Sequence, residues 1–119
     1  MTSYRDIVLE HFRRPRNRGP LPEANRSAEG SNPLCGDRIR VQLLVCDDVV
    51  TDARFTADAC ALCIASASLL TQHVRGKSLA LVQAVDASWI VQSLEGEPPP
   101  GRRKCATLPL DTLQRALHA

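Results

Sequence analysis

From Arg38 to Phe55 apolar side chains recur at every second residue, and beyond Cys60 they recur three and four apart. This change of period narrows the fold more than any other feature. Ile39, Val41, Leu43 and Val45 alternate with Arg38, Arg40, Gln42 and Leu44, the pattern of a half-buried strand. Asp47-Asp48 predicts a turn, after which Val49, Thr51, Ala53 and Phe55 resume the alternation against Val50, Asp52 and Arg54. Two such runs across a short polar break predict an antiparallel hairpin. Past Cys60, Leu62, Ala65 and Leu69 form one helical stripe and Ala67, Leu70 and Val74 its neighbour, with Gly76 as the breaker. Strands come first and helices follow, which is α+β order.

The flanks add helices. Tyr4, Ile7, Val8, His11 and Phe12 predict a short N-terminal helix that stops near Arg14, because Pro15 disfavours helix in the residue before it. The stretch from Arg13 to Pro33 is rich in Pro, Gly, Asn and Ser and reads as a long loop with one extended piece. Ser78 suits the N-cap of a helix carrying Leu79, Val82 and Val85; Trp89, Ile90 and Leu94 predict another. Pro98-Pro99-Pro100-Gly101 predicts a stiff linker, and Leu110, Leu113 and Leu117 a last helix with Pro109 in its first turn. A chain of 119 residues is expected to form a single domain, 1–119, with a core of Leu, Val, Ile and Ala, since aromatics are 3%.

The opening residues hold no long apolar run, so neither a signal peptide nor a membrane anchor is expected, and a cytoplasmic location follows. A formal charge of +2, and four arginines (Arg13, Arg14, Arg16, Arg18) without an aromatic platform, give no case for nucleic acid. Five cysteines need an explanation. Their odd number and the missing export signal argue against a disulfide framework, leaving metal ligands, reactive thiols or small buried hydrophobes.

Three of them stand at element boundaries. Cys35 precedes the first hairpin strand, Cys60 lies between hairpin and long helix, and Cys105 follows the proline linker. Loops and helix ends of this kind can aim several thiols at one point. At a helix N-terminus, unpaired N–H groups favour a thiolate at Cys60. Asp37 adds a carboxylate across Gly36. Three sulfurs and one oxygen complete a tetrahedral zinc site or hold a labile cluster. Cys63 makes a Cys-x-x-Cys with Cys60 and is expected to be buried and inert ahead of a spare ligand or a dithiol catalyst. Cys46, on the strand face of Arg40 and Gln42, is expected to be incidental. His11, His73 and His118 read as structural or solvated.

Asn32-Pro33-Leu34-Cys35-Gly36-Asp37, Cys60 with Ala65-Ser66-Ala67-Ser68, and Arg103-Lys104-Cys105-Ala106-Thr107-Leu108 together resemble the iron–sulfur cluster assembly scaffolds, the NifU N-terminal domain family, IscU/SufU-like. Pro15-Arg16-Asn17 and Gly76-Lys77-Ser78 extend the resemblance over nearly the whole chain. It implies a SufE/NifU-like α+β fold, with a small antiparallel sheet of about three strands packed against several helices. It also implies that Cys35, Asp37, Cys60 and Cys105 hold zinc or a [2Fe–2S] cluster, with Cys60 and Cys105 as persulfide acceptors. The implied role is a non-enzymatic scaffold that takes sulfur from a cysteine desulfurase, binds iron and passes the cluster to recipient apo-proteins. The alternative is a zinc-dependent sulfurtransferase of the SufU type. Lys104 points to the sulfur-transfer branch, whereas the short Gly76–Cys105 segment lacks that branch's insertion. Ala59 replaces the family's glycine, and Pro98–Arg102 keeps only part of the chaperone-docking pattern. The arginine run is expected to be a solvated loop, with docking to a desulfurase as its functional alternative.

Overall fold

The computed structural model describes residues 3–118. Helix α1 (Tyr4–Arg13) begins on a capping box. The Ser3 hydroxyl accepts the Asp6 N–H at 3.2 Å, and the Asp6 carboxylate takes the Ser3 N–H in return. It ends one residue before Arg14, as Pro15 dictates, although Phe12 of the predicted inner stripe is 41% exposed. Strands β1 (Arg26–Asn32), β2 (Asp37–Cys46) and β3 (Val49–Asp58) form an antiparallel sheet in the order β1-β2-β3. The extended piece expected before Pro33 is therefore a full strand. Its sequence, Arg-Ser-Ala-Glu-Gly-Ser-Asn, carries almost no apolar alternation, so periodicity could not delimit it.

The β2–β3 hairpin turns on Asp47 and Asp48, both at positive φ (52° and 60°), as a two-residue hairpin requires. One expectation fails there. Leu44 pairs with Asp52 and Val45 with Val50, so Thr51 is an extra, unpaired residue. The bulge turns Val50 inward beside Ala53 and Phe55 and leaves Thr51 exposed, its hydroxyl bonded to the Leu44 carbonyl at 3.0 Å.

Helix α2 (Ala61–Val74) is buried on every side from Leu62 to Ser68, wedged among α1, β3 and α5 (Arg103–Leu117). Its small residues seat neighbouring helices as well as the sheet. Ser66 donates to the Ala106 carbonyl of α5 at 2.5 Å, and Ser68 Oγ accepts the Arg16 N–H at 2.8 Å while lying 2.7 Å from His11 Nδ1. Short helices α3 (Leu79–Gln83) and α4 (Ala87–Leu94), capped by Ser78 and Asp86, lead back to α5, and His73 stacks on Trp89. The proline linker closes as a turn of 3-10 helix at Pro100–Arg102. Helix α5 starts six residues earlier than the Pro109 reading placed it, so Pro109 lies inside the helix and has no N–H to give the Cys105 carbonyl.

The core joins the inner sheet face (Ile39, Val41, Leu43, Val50, Ala53, Phe55) to α2 and α5. Each large side chain so buried contributes about 1.5–3 kcal/mol. On the other face, Leu21 lies outside that core yet is 1% exposed, held by two hydrogen bonds between its backbone and Gln42. The free edge of β3 is sealed by chain segments at Phe55 (Asn17, Gly19) and Val50 (Gly76, Lys77). No helix among the described residues is long and apolar enough to cross a membrane.

Gly30 is where α5 presses hardest on the sheet. A Cβ there would sit 2.1 Å from Thr112 Oγ1 and 3.2 Å from Leu108 Cδ1. Gly30→Ala should lower the unfolding free energy by about 1–3 kcal/mol, read from urea denaturation. An unchanged midpoint would contradict this packing.

Candidate metal centre

The turn before β2 gathers the first two groups. Asn32, nearly buried, accepts the N–H groups of Cys35 (3.2 Å) and Gly36 (2.9 Å) on its carbonyl and that of Leu34 (3.3 Å) on its side chain. Gly36 adopts φ 74°, a conformation costly for any residue with a Cβ. That sharp turn folds the exposed Cys35 thiol back over Asp37, and Cys35 Sγ donates to Asp37 Oδ2 at 2.9 Å.

Asp37 is 2% exposed and reaches across to the next element, where its Oδ1 accepts the Cys60 N–H at 2.8 Å. Cys60 is the N-cap of α2 but makes no capping bond with its side chain; its thiol instead lies 3.7 Å from Asp37 Oδ2. Cys105, in the first turn of α5 and 1% exposed, brings its sulfur to 3.4 Å from that of Cys35. Ligand atoms of Cys35, Asp37 and Cys105 all lie within 4.8 Å of one another. Cys60 stands just outside that tighter group. Tetrahedral zinc with sulfur bonds of about 2.3 Å wants sulfurs about 3.8 Å apart, so the Cys35 and Cys105 thiols, 3.4 Å apart, need to open by only a few tenths of an ångström, while the Cys60 thiol has to move in toward them. The donor set fits zinc or the iron of a thiolate-bound cluster.

Electrostatics set the proton inventory. Burial opposes the charge on Asp37, but the Cys35 thiol, the Cys60 N–H and the other two thiols outweigh it and hold the carboxyl below its usual range. Burial, then hydrogen bonds with Cys35, Asp37 and Cys60, push the Cys105 thiol well above its usual range. A cation binding there must displace that proton.

Other sequence candidates sit elsewhere. Cys63 is fully buried, and burial, followed by the charges of Asp37, Cys60 and Cys35, raises its thiol strongly. Cys46 is exposed at the far end of β2, in contact with Thr51. Lys104 is exposed and lines a shallow cleft with Ser31, Asn32, Thr107 and Asp111, to which no cysteine contributes. Arg16 pairs with Glu10 at 2.8 Å and Arg18 donates to the Ala57 carbonyl at 3.0 Å, so half of the arginine run is engaged in the fold.

Two neighbours escaped the sequence analysis. Arg102 stands beside the thiols; the charge of Cys60 and hydrogen bonding to Cys105 raise its pKa further. Its place one helical turn before Cys105 was the available clue. Tyr4 packs on Gly96, and burial, then the charge of Cys60, raises its phenol. Nothing in the sequence joins Tyr4 to a cysteine 56 positions away.

A fold and site of this kind define a small cysteine-rich scaffold, and comparison with known proteins gives the family. The NifU-like N terminal domain model matches residues 3–119, and the chain belongs to that family. The iron-sulfur cluster assembly scaffold protein IscU of Escherichia coli (strain K12) is 37% identical over 120 positions, covering 97% of this chain and 91% of its own. The zinc-dependent sulfurtransferase SufU of Bacillus subtilis (strain 168) is 31% identical over 133 positions, covering 98% and 90%. Since 133 positions exceed the 119 residues here, SufU carries residues that this chain lacks. The crystal structure of a putative SUF-system scaffold from Fervidobacterium islandicum AW-1 shares the fold, with a TM-score of 0.82, 24% identity and 94% of each chain covered.

Protonation at the site fixes how stability responds to pH. The lowered Asp37 pKa stabilises the fold above the ordinary carboxylate value of 3.8, and that contribution is lost as pH falls through the folded value. Cys105 acts at the other end. The unfolded chain loses its thiol proton near 9.0 while the fold keeps it, so stability drops as pH rises past that value. Urea unfolding of chelator-treated protein should weaken toward both extremes, with Asp37→Asn blunting the acid arm and Cys105→Ala the alkaline arm. Variant and parent curves of identical shape would refute these assignments.

Proposed function

We propose that the chain acts as one domain that assembles iron–sulfur clusters, with Cys35, Asp37, Cys60 and Cys105 holding iron and sulfide as cargo. The single observation that carries this is the convergence of Cys35, Asp37 and Cys105 within 4.8 Å, with Cys60 bound to the same carboxylate, in a chain of the NifU-like family. The relative named as a scaffold, IscU, shares 37% of its sequence over almost its full length.

The chemistry follows from the donor set. Thiolates bind iron and zinc tightly, and four of them would close a site that releases slowly. One carboxylate oxygen, from the buried Asp37, makes a weaker corner, and the exposed Cys35 beside it opens the site to the surface. Cargo can therefore enter and leave there. Sulfur arrives as persulfide on Cys60 or Cys105 from a cysteine desulfurase, iron joins it, and recipient apo-proteins take the finished cluster. Arg102 offsets the negative charge that three thiolates and a carboxylate create together.

A second reading rests on Lys104 and on the likeness to SufU, whose name describes a zinc-dependent sulfurtransferase. In that reading zinc orders the same four groups and the thiols relay sulfur by exchange. Lys104 is exposed, and a charged ammonium has no lone pair to offer a metal, so the metal set is the same in either case.

Anaerobic incubation with ferrous iron, cysteine and a cysteine desulfurase should give a visible chromophore at about one cluster per chain or per pair of chains. Cys35→Ala should abolish it, and Cys46→Ala, remote and exposed, should match the parent. Zinc as the only metal retained, with desulfurase turnover accelerated by the protein, would replace the scaffold reading with the sulfurtransferase one.

A further inference from the structure

Cys63 is the one buried thiol that the proposed ligand set does not use. It lies in the wall of the site, close enough to feel the charges of Asp37, Cys60 and Cys35, and is 0% exposed. Its relation to Cys60 is set by the helix. Cys60 is the N-cap of α2, so Cys63 is its N3 residue. A Cys-x-x-Cys at a helix N-terminus is the spacing of dithiol redox motifs, in which the two cysteines can close to a disulfide. The Cys60 thiol is not tied to the helix end by a capping bond and is half-exposed. One member of the pair is open to donors, and the other is shielded from solvent.

We propose that the Cys60/Cys63 pair is an internal reductant that releases sulfide from a persulfide carried on Cys60. The inference rests on the sulfur-accepting role proposed above and adds a reaction to it. A persulfide on Cys60 has an inner sulfur, Sγ, and an outer sulfane sulfur. The outer sulfur, ionised in the persulfide, takes the Cys63 proton as Cys63 Sγ attacks Cys60 Sγ. The Sγ–Sγ bond forms, the bond from Cys60 Sγ to the outer sulfur breaks, and hydrosulfide leaves. The outer sulfur takes up the two electrons that the two cysteine sulfurs lose in becoming a disulfide, so no outside oxidant enters. A thiol reductant then restores the dithiol by exchange, becoming a disulfide itself.

Geometry favours Cys63 over the other thiols for this step. Cys105 and Cys35 lie 3.4 Å apart and face each other and Asp37, where they are needed to receive the sulfide and iron. A disulfide between those two would destroy the binding site as it supplied the sulfide. A Cys60–Cys63 disulfide takes one ligand, Cys60, out of the set until exchange restores it, and leaves Cys35, Asp37 and Cys105 in place. Burial of Cys63 also keeps external thiols and oxidants from consuming it before Cys60 is loaded.

The test loads the full chain with persulfide using cysteine and a cysteine desulfurase, and in parallel with inorganic polysulfide. After removal of the donors, released sulfide is measured and the cysteine pairing is mapped by mass spectrometry of peptides. The parent protein should lose the added sulfur as sulfide, one per chain, with a Cys60–Cys63 disulfide appearing at the same rate. Cys63→Ala should keep the added sulfur on Cys60 and release at least tenfold more slowly. Cys63→Ser serves as a second variant, and circular dichroism checks that each is folded. Equal release from parent and variants, or a disulfide mapped to Cys35–Cys105, would overturn this inference while leaving sulfur acceptance standing. No added sulfur on any cysteine from either donor would overturn both.

Discussion

The site depends on one carboxylate that serves two elements at once. Asp37 opens β2 and, with its two oxygens, holds the Cys60 N–H at the head of α2 and the Cys35 thiol on the turn behind it. An acidic side chain 2% exposed would be costly without such partners. Here the cost is offset by donors that themselves need acceptors, because the first N–H groups of a helix have no partner of their own. The bond also fixes where the sheet ends relative to the helix, and therefore where two of the three thiols stand. Asp37 orders these groups through hydrogen bonds alone.

The third thiol is placed by different means. Cys105 is carried by α5, which is tied to α2 by Ser66 bonding the Ala106 carbonyl and to the sheet by the close approach at Gly30. Two buried helices and one glycine thus deliver a sulfur to a point defined by a strand and a turn. Pro109, inside α5, leaves the Cys105 carbonyl without its helical donor and makes this helix depend more on packing than on its own ladder.

Much of this was legible in the chain. The period change at Cys60, the Ser78 cap and the paired runs around Asp47-Asp48 gave the hairpin and helix order, because they express local rules. The three boundary cysteines and Asp37 stood out for their positions, and the structure brings them to one place. What escaped depended on distant partners. Strand β1 is polar, and only pairing with β2 makes it a strand. The alternation points Thr51 inward, because a bulge leaves no trace in an alternating pattern. Pro109 signals a helix start by local preference, but burial of Cys105 and Ala106 draws the helix back to Arg103. Arg102 and Tyr4 reach the site through the fold alone.

The combination of an oxygen corner, an exposed thiol and a nearby guanidinium suits a carrier whose cargo must leave. X-ray absorption at the zinc edge of the zinc-loaded protein tests most directly whether these groups form one site. Three sulfur neighbours and one oxygen, with an oxygen fewer in Asp37→Ala, are the expected result. A shell dominated by oxygen or nitrogen, or one unaltered by loss of Asp37, would contradict the convergence on which the account is built.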